Sequence, residues 1–262
     1  VYSDATKGWL PVSDDAVAFD HTAPPTQKGI FAFGYTGSNT NLSNLVGSNG
    51  VIASDTTGVG TARRNVAAAS YGTDKAIFGF GYTSSNTNLS NLVNNSGVVA
   101  SDTTGVGTAR ESLSATGYGD DKAIFGFGYI SGVTAITNLV SNSGVVSADV
   151  SGVGTASHQR AAVRYGLTGQ ALFGYGTDYI SLTNKVSNLG VVASDTSGVG
   201  TARAILAATS YGSGLAIFAY GDNGSYLSMS NKVNNVGTVA ADVSGVGTAR
   251  RQLAASNYGG DK

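Results

Sequence analysis

The segment Asp74–Tyr82, DKAIFGFGY, alternates bulky and minimal side chains. In an extended chain Phe78 and Phe80 point to one face, and Gly79 and Gly81 point to the other. This period of two residues predicts a β-strand, and the pairing of rings with glycines predicts that the rings of one sheet fill recesses in the next. The same arrangement returns at positions 125–128 and 173–175, and positions 218–220 keep it with Ala219 in place of a glycine.

A pentapeptide, GVGTA, marks a repeat along the chain. It starts at residues 58, 105, 152, 198 and 245, so the intervals are 47, 47, 46 and 47 residues. Four short segments within one period are rich in strand formers or small residues and end in turn residues, and we term them A to D: RESLSATGYG, DKAIFGFGY, TNLSNLV and SGVVASDT. They predict an all-β protein with four strands per repeat.

Four strands in each 47-residue period favour the blade of a β-propeller. A solenoid is the alternative, but the rings and glycines of segment B and the small side chains of segment A, as in NVAAASYG, favour sheets packed face to face around a crowded axis. We therefore predict a five-bladed β-propeller of four-stranded antiparallel blades over residues 28–262. Residues 1–27, which lie outside the repeat, are predicted to dock or to cap.

The two ends of the repeat series predict how the ring closes. The first unit begins with segment B at Lys28, and the last unit ends with segment A near Tyr258. Pairing of the C-terminal strand with the N-terminal blade would complete the fifth blade and leave no open sheet edge. The alternative takes Asp15–Phe19, DAVAF, as the first segment A.

The composition excludes several classes of function. Charged residues make up 12% of the chain, the net charge is -1, and no cluster of Lys or Arg offers a surface for nucleic acid or for an anionic membrane. No apolar run approaches the 18 or so residues of a membrane span. The chain has no Cys, and its two His, His21 and His158, are unrelated by the repeat, so we expect no metal site and no cofactor. No pair of carboxylates stands out as catalytic, and we expect a protein that is not an enzyme.

An Asp and an Arg stand on either side of each glycine turn. Asp55 ends segment D, and Arg63 opens the next segment A. The same order holds for Asp102 with Arg110, Asp195 with Arg203, and Asp242 with Arg250. We predict a clamp between blades, and the alternative is a ring of Arg at a channel mouth that binds anionic groups. The third repeat departs from the pattern, because Asp149 there faces Ser157 and the nearest arginine is Arg160.

The loops between segments B and C vary most among the repeats, and each carries a tyrosine with Asn, Ser, Thr or Asp. Variable loops on rigid strands are a common arrangement for binding surfaces. Aromatic rings stack on sugars while amides and hydroxyls bond sugar hydroxyls, although the tyrosines could equally cover the blade edge. The candidate ligand-binding residues are Tyr35, Asn39, Tyr82, Asn86, Tyr129, Asp178, Tyr179, Asp222, Asn223 and Tyr226.

The repeat resembles the kelch-type repeat of β-propellers. The order of an Arg, a small apolar strand, DKAIFGFGY, a variable loop and TNLSNLV carries this resemblance from Lys28 to Lys262, although the double glycine is here Gly-Phe-Gly and the strand-D Trp is absent. The wording GVVASDTTGVGTAR is also similar to repeat proteins of tailed phages of cyanobacteria and marine bacteria. That resemblance implies a tail or fibre component.

Together these observations predict a non-enzymatic propeller module of a virion or of the extracellular space. Its expected partners are cell-surface glycans or other virion structural proteins, recognised through the loop face. One alternative is a structural spacer or decoration protein without a ligand. A polysaccharide-degrading propeller is a further alternative that the sequence favours less.

Overall fold

The computed structural model describes residues 2–4, 8–9 and 28–257, and every regular element in them is a β-strand. In these residues there is no helix that is long and apolar enough to cross a membrane. The strands are β1 (Tyr2–Asp4), β2 (Gly8–Trp9), β3 (Gly29–Tyr35), β4 (Asn39–Val46), β5 (Ala67–Tyr71), β6 (Lys75–Gly79), β7 (Ser90–Val93), β8 (Ser114–Tyr118), β9 (Lys122–Gly126), β10 (Thr137–Val140), β11 (Ala161–Tyr165), β12 (Gln170–Gly176), β13 (Ile180–Val186), β14 (Ala207–Tyr211), β15 (Leu215–Asp222) and β16 (Tyr226–Val233).

These strands form small sheets that follow the sequence repeat. β1 and β2 make a short antiparallel ribbon. β3 and β4 make sheet 1, and the following strands make four antiparallel sheets of three: sheet 2 (β5-β6-β7), sheet 3 (β8-β9-β10), sheet 4 (β11-β12-β13) and sheet 5 (β14-β15-β16). The all-β prediction is confirmed.

The chain divides into two compact units. One unit comprises residues 1–32 and 42–57, and the other comprises residues 33–41 and 58–262. Sheets 2 to 5 lie in the second unit, and there the first strands β5, β8, β11 and β14 contact one another in chain order. The sheets of this unit therefore stack face to face along the sequence.

The fourth segment of each predicted blade, segment D, forms no strand in the described residues. In sheet 2 it meets β7 at isolated antiparallel bridges, Val93 with Val99 and Ser90 with Thr103. The prediction of four-stranded blades is therefore wrong, since sheet 1 has two strands and sheets 2 to 5 have three.

A side chain explains why the outer ladder is interrupted. Asn91 of β7 is fully buried, and its amide donates to the carbonyl of Ala100 at 3.0 Å and to the carboxylate of Asp102 at 2.9 Å. These bonds hold segment D against the sheet in place of a continuous backbone ladder. The corresponding residues Asn44, Asn138, Asn184 and Asn231 make the same pair of bonds.

The predicted contact between rings and glycines is confirmed within the second unit. The fully buried ring of Phe125 lies so close to Gly79 of the preceding sheet that a Cβ at Gly79 would stand 2.6 Å from the ring. Phe173 packs in the same way against Gly126. The ring of Phe125 also meets Phe80 edge to face, with centroids 5.2 Å apart. Glycine is therefore required in these central strands so that neighbouring sheets can approach.

The segment B strand of each sheet, which is β3 in sheet 1, bends at or directly after its end, at an aromatic residue. Phe80, directly after β6, has a φ of 61°, and the corresponding residues Phe33, Phe127, Tyr175 and Tyr220 also have positive φ. Bulky side chains seldom adopt this conformation, so its repetition marks a constraint imposed by the surroundings. The bend accompanies a register shift in sheets 4 and 5.

The predicted closure by the C-terminal strand is not seen in the described residues. Residues 251–257 form no strand, and residues 258–262 lie outside the described part. The tyrosines that end β5 and β8, Tyr71 and Tyr118, are buried, whereas their counterpart Tyr258 falls in that outer part. The alternative first strand at Asp15–Phe19 and most of the predicted extension 1–27 also lie outside the described residues.

Candidate functional site

The loop between β15 and β16 is a tight turn built by its own polar side chains. The carboxylate of Asp222 accepts the backbone N–H of Gly224 at 3.0 Å, and the amide oxygen of Asn223 accepts the N–H of Ser225 at 3.3 Å. Asx-type bonds of this kind fix short loops without further packing. Asn223 is thus a turn residue, while Asp222 also reaches its neighbours.

Three of the predicted site residues meet in a shallow depression beside this turn. Tyr179, Asp222 and Tyr226 line it together with Gly224, Ser225 and Arg251, and its volume is about 540 Å³. The hydroxyl of Tyr179 donates to Asp222 Oδ1 at 3.0 Å, and Arg251 Nη1 donates to Asp222 Oδ2 at 3.3 Å. The guanidinium of Arg251 lies 5.4 Å from the ring centre of Tyr226. We call this set of side chains the sheet 5 pocket.

The charges in the sheet 5 pocket compensate each other. The N–H of Gly224 holds the pKa of Asp222 below its usual value, burial opposes this, and Tyr179 and Arg251 lower the pKa further. The hydrogen bond to Asp222 raises the pKa of the Tyr179 hydroxyl, so the hydroxyl remains protonated at neutral pH. At that pH the pocket contains one carboxylate and one guanidinium, and these carry no net charge between them.

A second cluster, in which an arginine also lies beside tyrosines, contains the predicted residues Tyr35, Asn39 and Tyr82. The guanidinium of Arg64 lies 5.2 Å from the ring centre of Tyr35 and 4.7 Å from that of Tyr82. Arg64 Nη1 donates to Asn39 Oδ1 at 3.1 Å, and the amide of Asn39 donates to the carbonyl of Thr83 at 2.7 Å. Arg64 and Arg251 occupy the same position of the repeat, directly after the turn arginine.

The middle repeats lack this arginine and do not form the cluster. The equivalent positions are Glu111, His158 and Ala204. His158 stands 5.4 Å from the ring of Tyr129, and burial lowers the pKa of its imidazole. The amide of Asn86 donates to the carbonyl of Ile130 at 2.7 Å and so ties two successive loops together. Asp178 does not line the sheet 5 pocket.

Sequence reasoning did not select Arg64 and Arg251, although a signal was present. The pair Arg-Arg follows GVGTA in two of the five copies, at 63–64 and 250–251, and both second arginines lie beside loop tyrosines. A doubled charge in a chain with few charges was the feature that could have identified them.

The turn arginines are interior groups. Arg63, Arg110 and Arg203 have no exposed surface. Arg110 is representative: its Nε donates to the carbonyl of Phe127 at 2.9 Å, its Nη2 to Asn138 Oδ1 at 2.7 Å, and its guanidinium lies 4.2 Å from the ring centre of Phe80. Burial lowers the pKa of Arg110 to about 10, which leaves it charged at neutral pH. The bends at Phe80, Phe127 and Tyr220 supply the carbonyls that receive Nε of Arg63, Arg110 and Arg203.

The structure corrects the predicted partners of these arginines. Arg63 faces Asp102, with Nη1 and Oδ1 3.7 Å apart, rather than Asp55 of its own turn. The carboxylate of Asp102 also accepts the backbone N–H of Thr61 at 2.9 Å and its hydroxyl at 2.6 Å. The Asp at the end of a sheet thus holds the turn that precedes that sheet. The same bonds join Thr108 to Asp149, Thr155 to Asp195, and Thr201 to Asp242.

The alternative of an anion-binding ring of arginines is wrong for the three buried ones. A guanidinium without exposed surface cannot meet a ligand from solution. Arg250, the last of the series, is exposed, and its guanidinium stacks on Tyr220 at 3.9 Å.

In the third turn a different arginine occupies the place of the turn arginine. Ser157 stands where the other turns have arginine, and Arg160 from three positions later reaches over Phe127 at 4.0 Å. The side chain of Arg160 makes one hydrogen bond, from Nη2 to the carbonyl of Leu182 at 3.1 Å. Its Nε and Nη1, and the Oδ1 of Asn184, find no protein partner in the described residues.

Comparisons with known proteins identify the fold and no more. No protein-family model matches the chain, and no curated protein matches it. A solved structure that is similar is that of a novel fungal alcohol oxidase with catalytic diversity among the AA5 family, in complex with copper. The TM-score is 0.53 and the identity 12%, and the match covers 87% of this chain and 64% of the oxidase. The chain therefore matches less than two thirds of the oxidase, and it shares an all-β fold with it.

The copper of that oxidase has no counterpart in the part of this chain that the structure describes. No group of three or more His, Cys, Asp or Glu that could hold a metal ion occurs there. The carboxylates of Asp102, Asp149, Asp195 and Asp242 each accept hydrogen bonds from a Thr and an Asn, so these four are not free as ligands. The residues that are described do not fit a copper centre.

Proposed function

We propose that the protein is a non-enzymatic binding module that recognises uncharged glycans through the loops between the second and third strands of its sheets. The observation that carries this proposal is the sheet 5 pocket, in which two exposed tyrosines flank a compensated Arg-Asp pair. Tyr179 and Tyr226 are 45% and 58% exposed, so both residues can be reached from solvent.

The chemistry of the sheet 5 pocket suits a sugar ring. An aromatic face stacks on the C–H groups of a pyranose, while hydroxyl and guanidinium groups bond its hydroxyls. In the described residues the hydroxyls of Ser225 and Tyr226 make no hydrogen bond of their own, and Arg251 uses one N–H on Asp222. Since Asp222 compensates the charge of Arg251, a neutral saccharide is favoured over an acidic one.

The cluster around Arg64 supports the same proposal, because it repeats the tyrosine-arginine layout on a second loop. Two weak sites on one chain gain apparent affinity when the ligand is itself multivalent. Bacterial surface polysaccharides present such repeated sugars. The setting that we propose is a phage tail or fibre, or another extracellular assembly, as the resemblance of the repeat implies.

We further propose that sheets 2 to 5 are blades of a kelch-like propeller array. Support comes from the face-to-face stacking of successive sheets and from the likeness to a solved all-β fold. A closed ring of four-stranded blades is no part of this proposal. Small-angle scattering, which separates a curved array from a straight stack, tests it, and a profile that fits the straight stack would reject it.

A glycan array followed by calorimetry with the best neutral ligand tests the binding function. We expect Tyr226→Ala and Arg251→Ala each to weaken binding at least tenfold, which corresponds to about 1.4 kcal/mol. Tyr129→Ala is the matched control, because Tyr129 lies on an equivalent loop beside His158 rather than arginine, and it should bind like wild type. A flat array would leave the structural spacer as the better reading, and a strict preference for acidic sugars would contradict the proposed ligand class.

A further inference from the structure

The sheet 5 pocket offers a ligand strong hydrogen-bond donors. A guanidinium carries several N–H donors and no acceptor. In the described residues the guanidinium of Arg251 makes one hydrogen bond, from Nη1 to Asp222 Oδ2 at 3.3 Å. The side chain of Arg251 is 39% exposed, so its remaining N–H groups can be reached from solvent. These groups are available to a ligand that brings an acceptor.

Two strong acceptors of the same pocket already have donors. Asp222 Oδ1 accepts the hydroxyl of Tyr179 and the backbone N–H of Gly224, both at 3.0 Å. The carbonyl oxygen of Ser225 accepts the N–H of Asn223 at 3.2 Å. Asp222 is also only 5% exposed. Its carboxylate is therefore largely closed to the hydroxyl donors of a sugar.

The cluster around Arg64 shows the same excess of donors. Nη1 of Arg64 donates to Asn39 Oδ1, and the guanidinium makes no other hydrogen bond to the described residues. The carbonyl of Tyr82 accepts the backbone N–H of Arg64 at 3.0 Å. The carbonyl of Thr83 accepts the amide of Asn39 at 2.7 Å. Free guanidinium donors beside occupied acceptors thus occur at both places.

This excess of donors decides which group of a sugar fits best. A hydroxyl brings a proton that needs an acceptor, whereas an amide carbonyl accepts and brings none. A carboxylate would accept as well, but Asp222 already compensates the charge of Arg251. An ammonium would add donors and place a positive charge beside a guanidinium. The group that remains is an acetamido group, whose carbonyl is a strong acceptor and whose methyl is apolar.

We infer that both clusters recognise N-acetylated amino sugars. The acetamido carbonyl accepts from the free N–H groups of Arg251 or Arg64, and the methyl group packs on a neighbouring tyrosine ring. This inference rests on the glycan-binding function proposed above and names the class of sugar. The loops beside Glu111 and His158 lack the arginine and with it the donor.

Matched sugars that differ only in the group at the second carbon atom test this inference. Polymer conjugates of N-acetylglucosamine and glucose form one pair, and conjugates of N-acetylgalactosamine and galactose form the other. For wild type we expect the acetylated sugar of at least one pair to bind about tenfold more tightly or better in calorimetry, as for one hydrogen bond to a charged group. A glucosamine conjugate, whose ammonium is a donor, should bind no better than the glucose conjugate.

Substitution of the two arginines tests whether they cause this preference. We expect the double variant Arg64→Ala with Arg251→Ala to bind both members of a pair equally. Arg164→Ala, which removes a surface arginine paired with Asp120, is the control and should keep the preference. Neither of the two substituted arginines is buried, so circular dichroism should show a folded double variant.

The outcomes separate this inference from the glycan-binding function. Equal binding of both members of each pair by wild type would overturn the inference and leave glycan binding in place. A preference that survives in the double variant would overturn it as well, because the arginines would not be its source. If no conjugate binds and the glycan array is flat, the glycan-binding function fails and the inference fails with it.

Discussion

At the residue scale, the third turn shows which part of the clamp is indispensable. The guanidinium lies over the aromatic ring of the preceding sheet whether it comes from Arg110 or from Arg160. The hydrogen bonds are less well kept, because Nε and Nη1 of Arg160 and Oδ1 of Asn184 have no partner in the described protein. Occupation of the space above the ring is therefore preserved, while the bonding of the ordinary clamp is lost.

Moving the arginine of the third turn from position 160 to position 157 should restore the hydrogen bonds of the ordinary clamp. The double variant Ser157→Arg with Arg160→Leu reproduces the order Arg-x-x-Leu of the second and fourth turns. Satisfying buried polar groups that lack a partner is worth about 1 to 3 kcal/mol, so we expect the free energy of unfolding in urea to rise by that amount. Each single substitution should destabilise the protein. Ser157→Arg places two guanidiniums in the space over Phe127, and Arg160→Leu leaves that space without a guanidinium. A double variant no more stable than wild type would contradict this account.

At the element scale, the sheets depend on the contact of rings with glycines. The sequence predicts this contact from the alternation in segment B, and the structure places Phe125, Phe173 and Phe218 against glycines of the preceding sheets. Segment D was harder to predict. Its composition is that of a strand, but in sheet 2 the amide of Asn91 occupies the carbonyl of Ala100, and the carboxylate of Asp102 binds Thr61 of the turn.

Truncating one ring should measure how much the packing of the sheets contributes. We expect Phe125→Ala to lower the free energy of unfolding by about 3 to 5 kcal/mol, because the ring has no exposed surface and its removal leaves a cavity. Val98→Ala is the control on an exposed side chain and should change stability by less than about 0.5 kcal/mol. A loss below about 1 kcal/mol for Phe125→Ala would show that the rings are not the main contact between sheets.

At the scale of the whole molecule, four carboxylates repeat the same environment. Burial alone would raise the pKa of Asp102, but the bonds from Thr61 and Asn91 and the charge of Arg63 hold it below its usual value. The pKa values of Asp149, Asp195 and Asp242 are lowered for the same reasons. The clamps therefore couple the stability of all the internal junctions to pH.

This coupling predicts acid unfolding. A carboxyl whose pKa is lower in the folded than in the unfolded state contributes stability that is fully present above the unfolded value of about 3.9 and is lost as the pH falls through the folded value. We expect the melting temperature to be flat near neutral pH and to fall steeply below about pH 4. Asp102→Asn should lower the melting temperature at pH 7 and flatten the acid slope, whereas Asp120→Asn, on an exposed pair, should do neither. An unchanged acid slope in Asp102→Asn would reject the clamp as its source.

Most residues of the candidate site could be predicted from the sequence, but Arg251 could not. The loop position of Tyr179, Asp222 and Tyr226 follows from the repeat, because variable loops between regular strands fall on the same edge. Their convergence with Arg251 depends on two sheets and a turn that meet in space. No local pattern contains that information.

The sequence by itself determined the all-β class, the 47-residue period, and the pairing of rings with glycines, since these depend on side-chain alternation and on turn residues close together in the chain. Only the tertiary structure decided that Asp102 holds Thr61, that segment D is fastened by Asn91, and that Arg160 replaces a turn arginine. The reason is distance along the chain, since Thr61 and Asp102 are 41 residues apart. In a repeat protein, moreover, each Asp has several equivalent turns with which it could pair, and the sequence alone does not say which one it contacts. Stacking of the sheets selects one of them.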